Sequence, residues 1–343
     1  MPFHHFLSKT YIRQWGYTKN DVWVYDKLKN AATSIDLSGN SNQESFGKDN
    51  YYRLKAGSLF MPPKIADRLF SCLNEYLIVY KGEKITTSQD LNLAFPYFND
   101  WMIYTHDNQI VDASKKNELN EKLRDGYDDI IEKKWGKKYE NLWPIIVKRI
   151  LQYLILSKTK KNIQLNENDI DYIFRCLIMY DWRCQSKYSS ISQAFDFVKN
   201  YTKPLTEISI LKNVRYNDYD NTLYDEVKHA QYLEHFYNFL NGFGKMYGQL
   251  NLYNQLFTLV FIISESVKFL TCESPVIEIN SGYGIMLLFI VHPNLIVSLA
   301  LKDSKKKFVT KFIDSEEAVL LNKAIYRTGN QIIGFEEDFS SYI

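Results

Sequence analysis

Seven side chains stand out as candidates for chemistry by type and position: His5, Glu273 and Asp181, together with the cations Lys9, Arg13, Arg175 and Arg183. An imidazole beside a carboxylate can pass a proton near neutral pH, and guanidinium and ammonium groups can hold a phosphate. His4 and His5 cannot face the same way in an extended segment, so at most one readily joins a given site. If His5 lies at a helix entry, it approaches Lys9 and Arg13, and the three form a basic cluster suited to phosphate with the helix-terminal amides nearby. The alternative places one histidine in the core and the other in solvent.

Glu273 falls between a strand and a turn that begins with Pro275, where a scaffold can hold a carboxylate for metal binding or proton transfer. Turn chemistry, with Thr271, Ser274 and the carboxylate all bonding backbone amides, is the stronger expectation. Glu278 offers a second carboxylate. The cofactor is unassigned; a divalent metal is compatible with these acids, but a metal-dependent nuclease needs further acids and a lysine that no spacing here identifies.

Asp181 sits on the apolar stripe of Ile170, Ile173, Phe174, Leu177 and Ile178, so it must find a partner. The readings are a buried ion pair with an arginine from elsewhere, or an acid facing a cleft. Arg175 and Arg183, two helical turns apart, could together hold a phosphate or carboxylate. Glu226-x-x-His229 has the local spacing of a di-metal bundle without the second pair, and reads as a surface helix face. The cysteines Cys72, Cys176, Cys184 and Cys272 form no Cys-x-x-Cys pair, which argues against a zinc knuckle or a disulfide framework and for reduced, buried thiols. No Walker loop or dinucleotide fingerprint is present.

These residues need elements to position them. Ser8 can cap a helix starting near Lys9, and Leu7 can staple onto Ile12. Thr33 to Gly57 reads as a loop, and Met61-Pro62-Pro63 opens a helix running through Ile65, Leu69, Leu73 and Leu77. Further helices are expected over Asn117–Lys134, Leu142–Leu156, Glu167–Lys199 and Leu223–Leu240, followed by a loop-punctuated run of short apolar strands. Leu256–Ile263, Lys268–Leu270, Val276–Ile279, Met286–Val291 and Ile296–Leu301 should form one antiparallel sheet, closed by a helix from Asp314 to Arg327. His292-Pro293-Asn294 interrupts the longest apolar stretch and reads as a strand turn, which excludes a membrane span there.

With 343 residues, 45% hydrophobic and 24% charged, the chain should fold around a sizeable core. Its 42 basic residues nearly balance 40 acidic ones, so any nucleic-acid partner must be held by a local patch such as the lysine runs Lys133-Lys134, Lys137-Lys138 and Lys305-Lys306-Lys307. The start has no basic end followed by an apolar run, so a cytoplasmic location is expected and no membrane partner.

His-His-x-Leu-Ser-Lys-x-Tyr-Ile-x-x-Trp, from His4 to Trp15, resembles the opening of the bacterial domain-of-unknown-function family numbered forty-two thirty-eight. Leu165 to Phe195 is similar to the family's central helix, with Arg183 at its characteristic arginine. Phe269 to Val276 is similar to its strand and turn, and Asn322 to Gly334 to its closing helix and strand. The chain departs from the pattern at Ser8, where Pro is usual, at Tyr180, where Gln is usual, and at Cys272-Glu273, where Ser-Asp is usual. The resemblance implies a fold and no established reaction.

The expected fold is therefore α+β, a helical middle packed on a C-terminal antiparallel sheet. It is read as a single domain with an N-terminal motif and loop over 1–60, a mainly helical part over 61–245 and a sheet plus closing helix over 246–343. The motif inserts between the layers and brings His5, Arg183 and Glu273 together. Two functions fit: a hydrolase of nucleic acid or nucleotides acting as a bacterial defence or toxin effector, and a non-catalytic interaction protein whose motifs staple the sheet to the helices.

Overall fold

The computed structural model describes residues 3–38, 46–49, 51–126, 132–158, 165–183, 222–280, 285–302, 307–339 and 342. Cys184, Lys305, Lys306 and the segment read as the end of the central helix lie outside them, as do the side chains of His4 and His5. The chain divides into two compact units, one built from 1–49, 135–190 and 241–343, the other from 50–134 and 191–240.

The first unit opens with β1 (Phe3–His5), α1 (Lys9–Ile12), β2 (Asp21–Asp26), β3 (Ala31–Asp36) and β4 (Gly47–Asp49). The second unit then supplies α2 (Pro63–Leu69), β5 (Leu77–Tyr80), β6 (Glu83–Ile85), α3 (Ser88–Ala94), β7 (Met102–Tyr104) and α4 (Ala113–Asp125). The short α5 (Glu132–Trp135) runs from the second unit to the first, where α6 (Trp143–Ser157) and α7 (Glu167–Arg183) follow. After α8 (Leu223–Leu240) of the second unit, the first resumes with α9 (Gly244–Leu256), β8 (Phe257–Ser264), β9 (Thr271–Cys272), β10 (Val276–Asn280) and β11 (Ile285–His292). It closes with β12 (Leu295–Leu301), β13 (Phe308–Ile313), α10 (Ser315–Thr328) and β14 (Gln331–Gly334).

The C-terminal sheet has the order β10-β11-β12-β8-β13. Its first four strands pair antiparallel, as the strand pattern predicts, and β13 joins parallel to β8 after a crossover. Leu288 to Val291 and Leu295 to Val297 are buried at every position, so both faces of the sheet's centre are covered. That explains their unbroken apolar runs, which an exposed face would have made alternate. His292-Pro293-Asn294 does turn the chain between β11 and β12, and no helix among the described residues is long and apolar enough to cross a membrane. Helices α7 and α9 lie against β10 and β8, and Trp143 of α6 meets Phe289 of β11 at 5.8 Å, so the helices of this unit pack on the sheet.

Lys268–Leu270 is not a strand of that sheet. The chain leaves the sheet after β8, and β9 pairs instead in a second sheet ordered β3-β2-β14-β9. The β2–β3 hairpin, missed by reading Thr33 onward as loop, carries a clear alternation: Val22 and Val24 are buried while Trp23 and Tyr25 face the other side. In the second unit the helix from Pro63 stops early, because Leu77-Ile78-Val79-Tyr80 followed by Lys81-Gly82 is a hairpin arm and turn. Both turn residues take positive φ, 53° and 83°, as a tight two-residue hairpin loop requires.

The predicted caps form. Ser8 Oγ accepts from the Tyr11 amide, and Asp314 accepts from the Glu317 amide at 2.9 Å. After α10 the chain passes so close to β9 that a Cβ on Gly329 would lie 2.4 Å from the Cys272 Cβ. Gly329→Ala therefore forces β9 and the helix end apart and is expected to cost about 1–3 kcal/mol, read as a lower denaturation midpoint in urea.

Candidate functional site

The stretch from Lys268 to Glu273 lies at the centre of the motifs. Its backbone groups have left the large sheet and must be satisfied elsewhere. Phe269 N–H donates to the Pro293 carbonyl at 2.6 Å, and the Phe269 carbonyl accepts from Trp15 Nε1 at 2.8 Å. Asn322, fully buried on α10, accepts from the Leu270 amide with Oδ1 and donates from Nδ2 to the Lys268 carbonyl, both at 2.9 Å. A side-chain amide thus imitates a neighbouring strand.

From the other side comes α1. Tyr11 Oη donates to the Ile290 carbonyl at 2.6 Å and lies 2.7 Å from Thr271 Oγ1. Because its single proton goes to Ile290, the threonine hydroxyl is the donor in the second bond. The Tyr11 ring contacts Trp15, Trp143 and Tyr180 at centroid distances of 4.9, 5.8 and 5.3 Å, and Tyr180 in turn meets Phe289 at 5.8 Å. Trp143 Nε1 is buried without a hydrogen-bond partner among the described residues, so ring packing alone holds that indole. Ser8 Oγ and Tyr180 Oη are 3.2 Å apart. The N-terminal motif does insert between helices and sheet.

Each candidate residue can now be placed. Only the backbone of His5 is described, in β1, where it pairs with Gly47 of β4. Lys9 is half-buried and holds the carboxyl of Asp36, which two hydrogen bonds from Ser38 lower first, further below its ordinary value. Arg13 is exposed and donates to the Leu37 carbonyl. Asp181 is buried on α7. Arg175 donates to Asp171 at 2.6 Å and lies over the ring of Tyr247, and Arg183, fully buried, donates to Glu140 Oε1 at 3.0 Å beneath the Trp135 ring. The two arginines thus each hold a carboxylate. Trp135 Nε1 donates to the same Glu140 oxygen at 2.7 Å, and nothing near residue 183 in sequence signals this pairing.

Glu273 accepts from the Asn330 amide with Oε1 and from the Gln331 amide with Oε2, both at 2.9 Å, while its own N–H donates to the Gln331 carbonyl. The carboxylate spans the turn between α10 and β14. Glu278 is exposed on β10. Glu226 and His229, read as a surface pair, are buried in the second unit, where His229 Nε2 meets the Tyr51 carbonyl at 3.0 Å and its ring packs on Tyr51. Burial pushes the thiols of Cys176 and Cys272 well up, which keeps them protonated and unreactive. Among the described residues no three His, Cys, Asp or Glu side chains group as metal ligands.

The fold is thus an α+β one in which three motif stretches pack around a fourth, which holds a short irregular segment between helices and two sheets. The chain belongs to the family described as protein of unknown function (DUF4238), which it matches over residues 4–338. No curated protein and no solved structure matches it.

Asn322→Ala strips partners from two buried backbone groups and is expected to lower stability by about 2–5 kcal/mol, against about 1–3 kcal/mol for Tyr11→Phe, which orphans one backbone carbonyl and removes the acceptor of the Thr271 hydroxyl, a group free to rotate. Denaturant titration of both variants checks the order. Beside the clamp, burial first and Lys268 second depress His292 to about 4, and its Nδ1 accepts from the Asn294 amide. The folded state therefore resists the proton that the unfolded chain takes up near its ordinary 6.5. Stability contributed by this neutral ring is complete above that value and drains as pH falls towards 4. Thermal midpoints measured across this window should fall for the wild type and flatten in His292→Asn.

Proposed function

We propose that this chain is a non-catalytic binding or interaction protein in which the family's motif residues are structural fastenings. The observation that carries the reading is the Glu273 carboxylate, whose two oxygens each accept a backbone amide across a turn. A carboxylate held in this way is fitted to fix a turn, and moving a proton or ligating a metal would compete with both bonds. Arg183 supports the same reading, since its guanidinium is spent inside the fold on Glu140 and Trp135.

A second reading, a hydrolase of nucleic acid or nucleotides serving as a defence or toxin effector, draws support from Arg13. That side chain is exposed one helical turn from Lys9, as a phosphate-contacting pair would be.

Expressing the wild type, His5→Ala and Glu273→Gln in cells and scoring growth and RNA and DNA integrity separates the two. Intact nucleic acid and unchanged growth in all three, with a thermal midpoint lowered only in Glu273→Gln, is the expected result. The amide would point an N–H at a backbone donor, costing about 1–3 kcal/mol. Nucleic-acid breakdown by the wild type that a fully folded Glu273→Gln or His5→Ala variant no longer performs would overturn it.

A further inference from the structure

One cleft of the first unit lies away from the motif clamp. It has a volume of about 320 Å³, in the range of sites that enclose a small molecule. One wall is the first two turns of α7. The other is the junction where α9 runs into β8, joined by the end of β12.

The two walls carry different chemistry in a definite order. Ile170, Phe174 and Phe257 give an apolar floor, the first two buried on the inner face of α7 and the third half-exposed at the start of β8. Asn168 on one wall and Asn254 on the other bring exposed side-chain amides, each a donor and an acceptor. Lys302 is tied beside Phe257: its amide donates to the Leu256 carbonyl at 2.8 Å, and Leu301 pairs with Phe257 in the sheet.

The charges are unequally committed. Glu167 is paired with Lys307 at 2.8 Å, and Asp171 with Arg175 at 2.6 Å. The Lys302 ammonium has no such partner among the described residues, nor do the side chains of Asn168 and Asn254. What remains after the internal pairs are formed is one cation, two amides and an apolar floor on which the half-exposed Phe257 offers an aromatic ring. A small anion with a flat ring system matches that set: the ammonium takes the charge, Phe257 takes the ring, and the amides read its edge.

We propose that this cleft binds a mononucleotide, with the phosphate at Lys302 and the base against Phe257 between Asn168 and Asn254. This names a site for the binding-protein reading and rests on it.

Calorimetric titration of the full chain with AMP, adenosine and inorganic phosphate tests it, followed by recovery of the AMP. AMP should bind at least about tenfold more tightly than either fragment. Lys302→Glu should weaken AMP by about tenfold or more and leave adenosine nearly unchanged, whereas Lys148→Glu, on the exposed side of α6, should change neither. Asn254→Ala should weaken AMP and adenosine alike. No AMP binding, equal binding by Lys302→Glu and wild type, or phosphate alone binding as tightly as AMP would each overturn the site and leave the non-catalytic reading standing. AMP consumed in a Lys302-dependent way would keep the site and overturn that reading instead.

Discussion

A backbone that leaves a sheet carries its hydrogen-bonding groups with it, and the segment Lys268–Glu273 makes this the governing constraint of the first unit. It leads from the large sheet, which the chain leaves at the end of β8, into β9 of the second sheet. The irregular residues between them cannot pair with a neighbouring strand, yet Phe269 and Leu270 are fully buried. Burying an unpaired amide or carbonyl costs more than a typical hydrogen bond returns, so each needs a dedicated partner. Trp15, Asn322 and Pro293 meet that need, while Tyr11 and Glu273 secure the pairing that follows.

The same constraint explains why the family motifs lie so far apart in the chain. The N-terminal motif supplies an indole and a phenol, the closing helix a carboxamide, and the central helix an aromatic face against which Tyr11 packs. The hydroxyls of Ser8 and Tyr180 lie 3.2 Å apart, so the start of α1 also contacts the central helix. The same serine caps α1. Glu273, with its longer side chain, reaches two successive amides of the closing turn.

The cleft between α7 and the α9–β8 junction shares none of these duties. Ile170 and Phe174 on its floor belong to the core, but the side chains of Asn168, Asn254 and Lys302 are exposed and contribute little to holding the fold.

Local chemistry was legible in the sequence. The caps at Ser8 and Asp314, the helix Leu223–Leu240, the turn at His292-Pro293-Asn294 and the strand character of β8, β10, β11 and β12 all follow from side chains within a few residues of each other. The hairpins β2–β3 and β5–β6 were also written there, in the Val22/Val24 alternation and in Lys81-Gly82, but weaker loop and helix signals masked them. The expected meeting of His5, Arg183 and Glu273 concerned side chains, and of these the His5 side chain lies outside the described residues. Which atoms meet was not legible in the sequence: Tyr11 and Trp15 make the contact, and Arg183 turns to Glu140. Pairings such as Trp15 with Phe269, 254 residues on, leave no periodicity or spacing in the chain, because the partner is chosen by which buried polar group would otherwise go unpaired. Only the tertiary structure decides that, and with it whether a carboxylate like Glu273 is free to react or engaged in a turn.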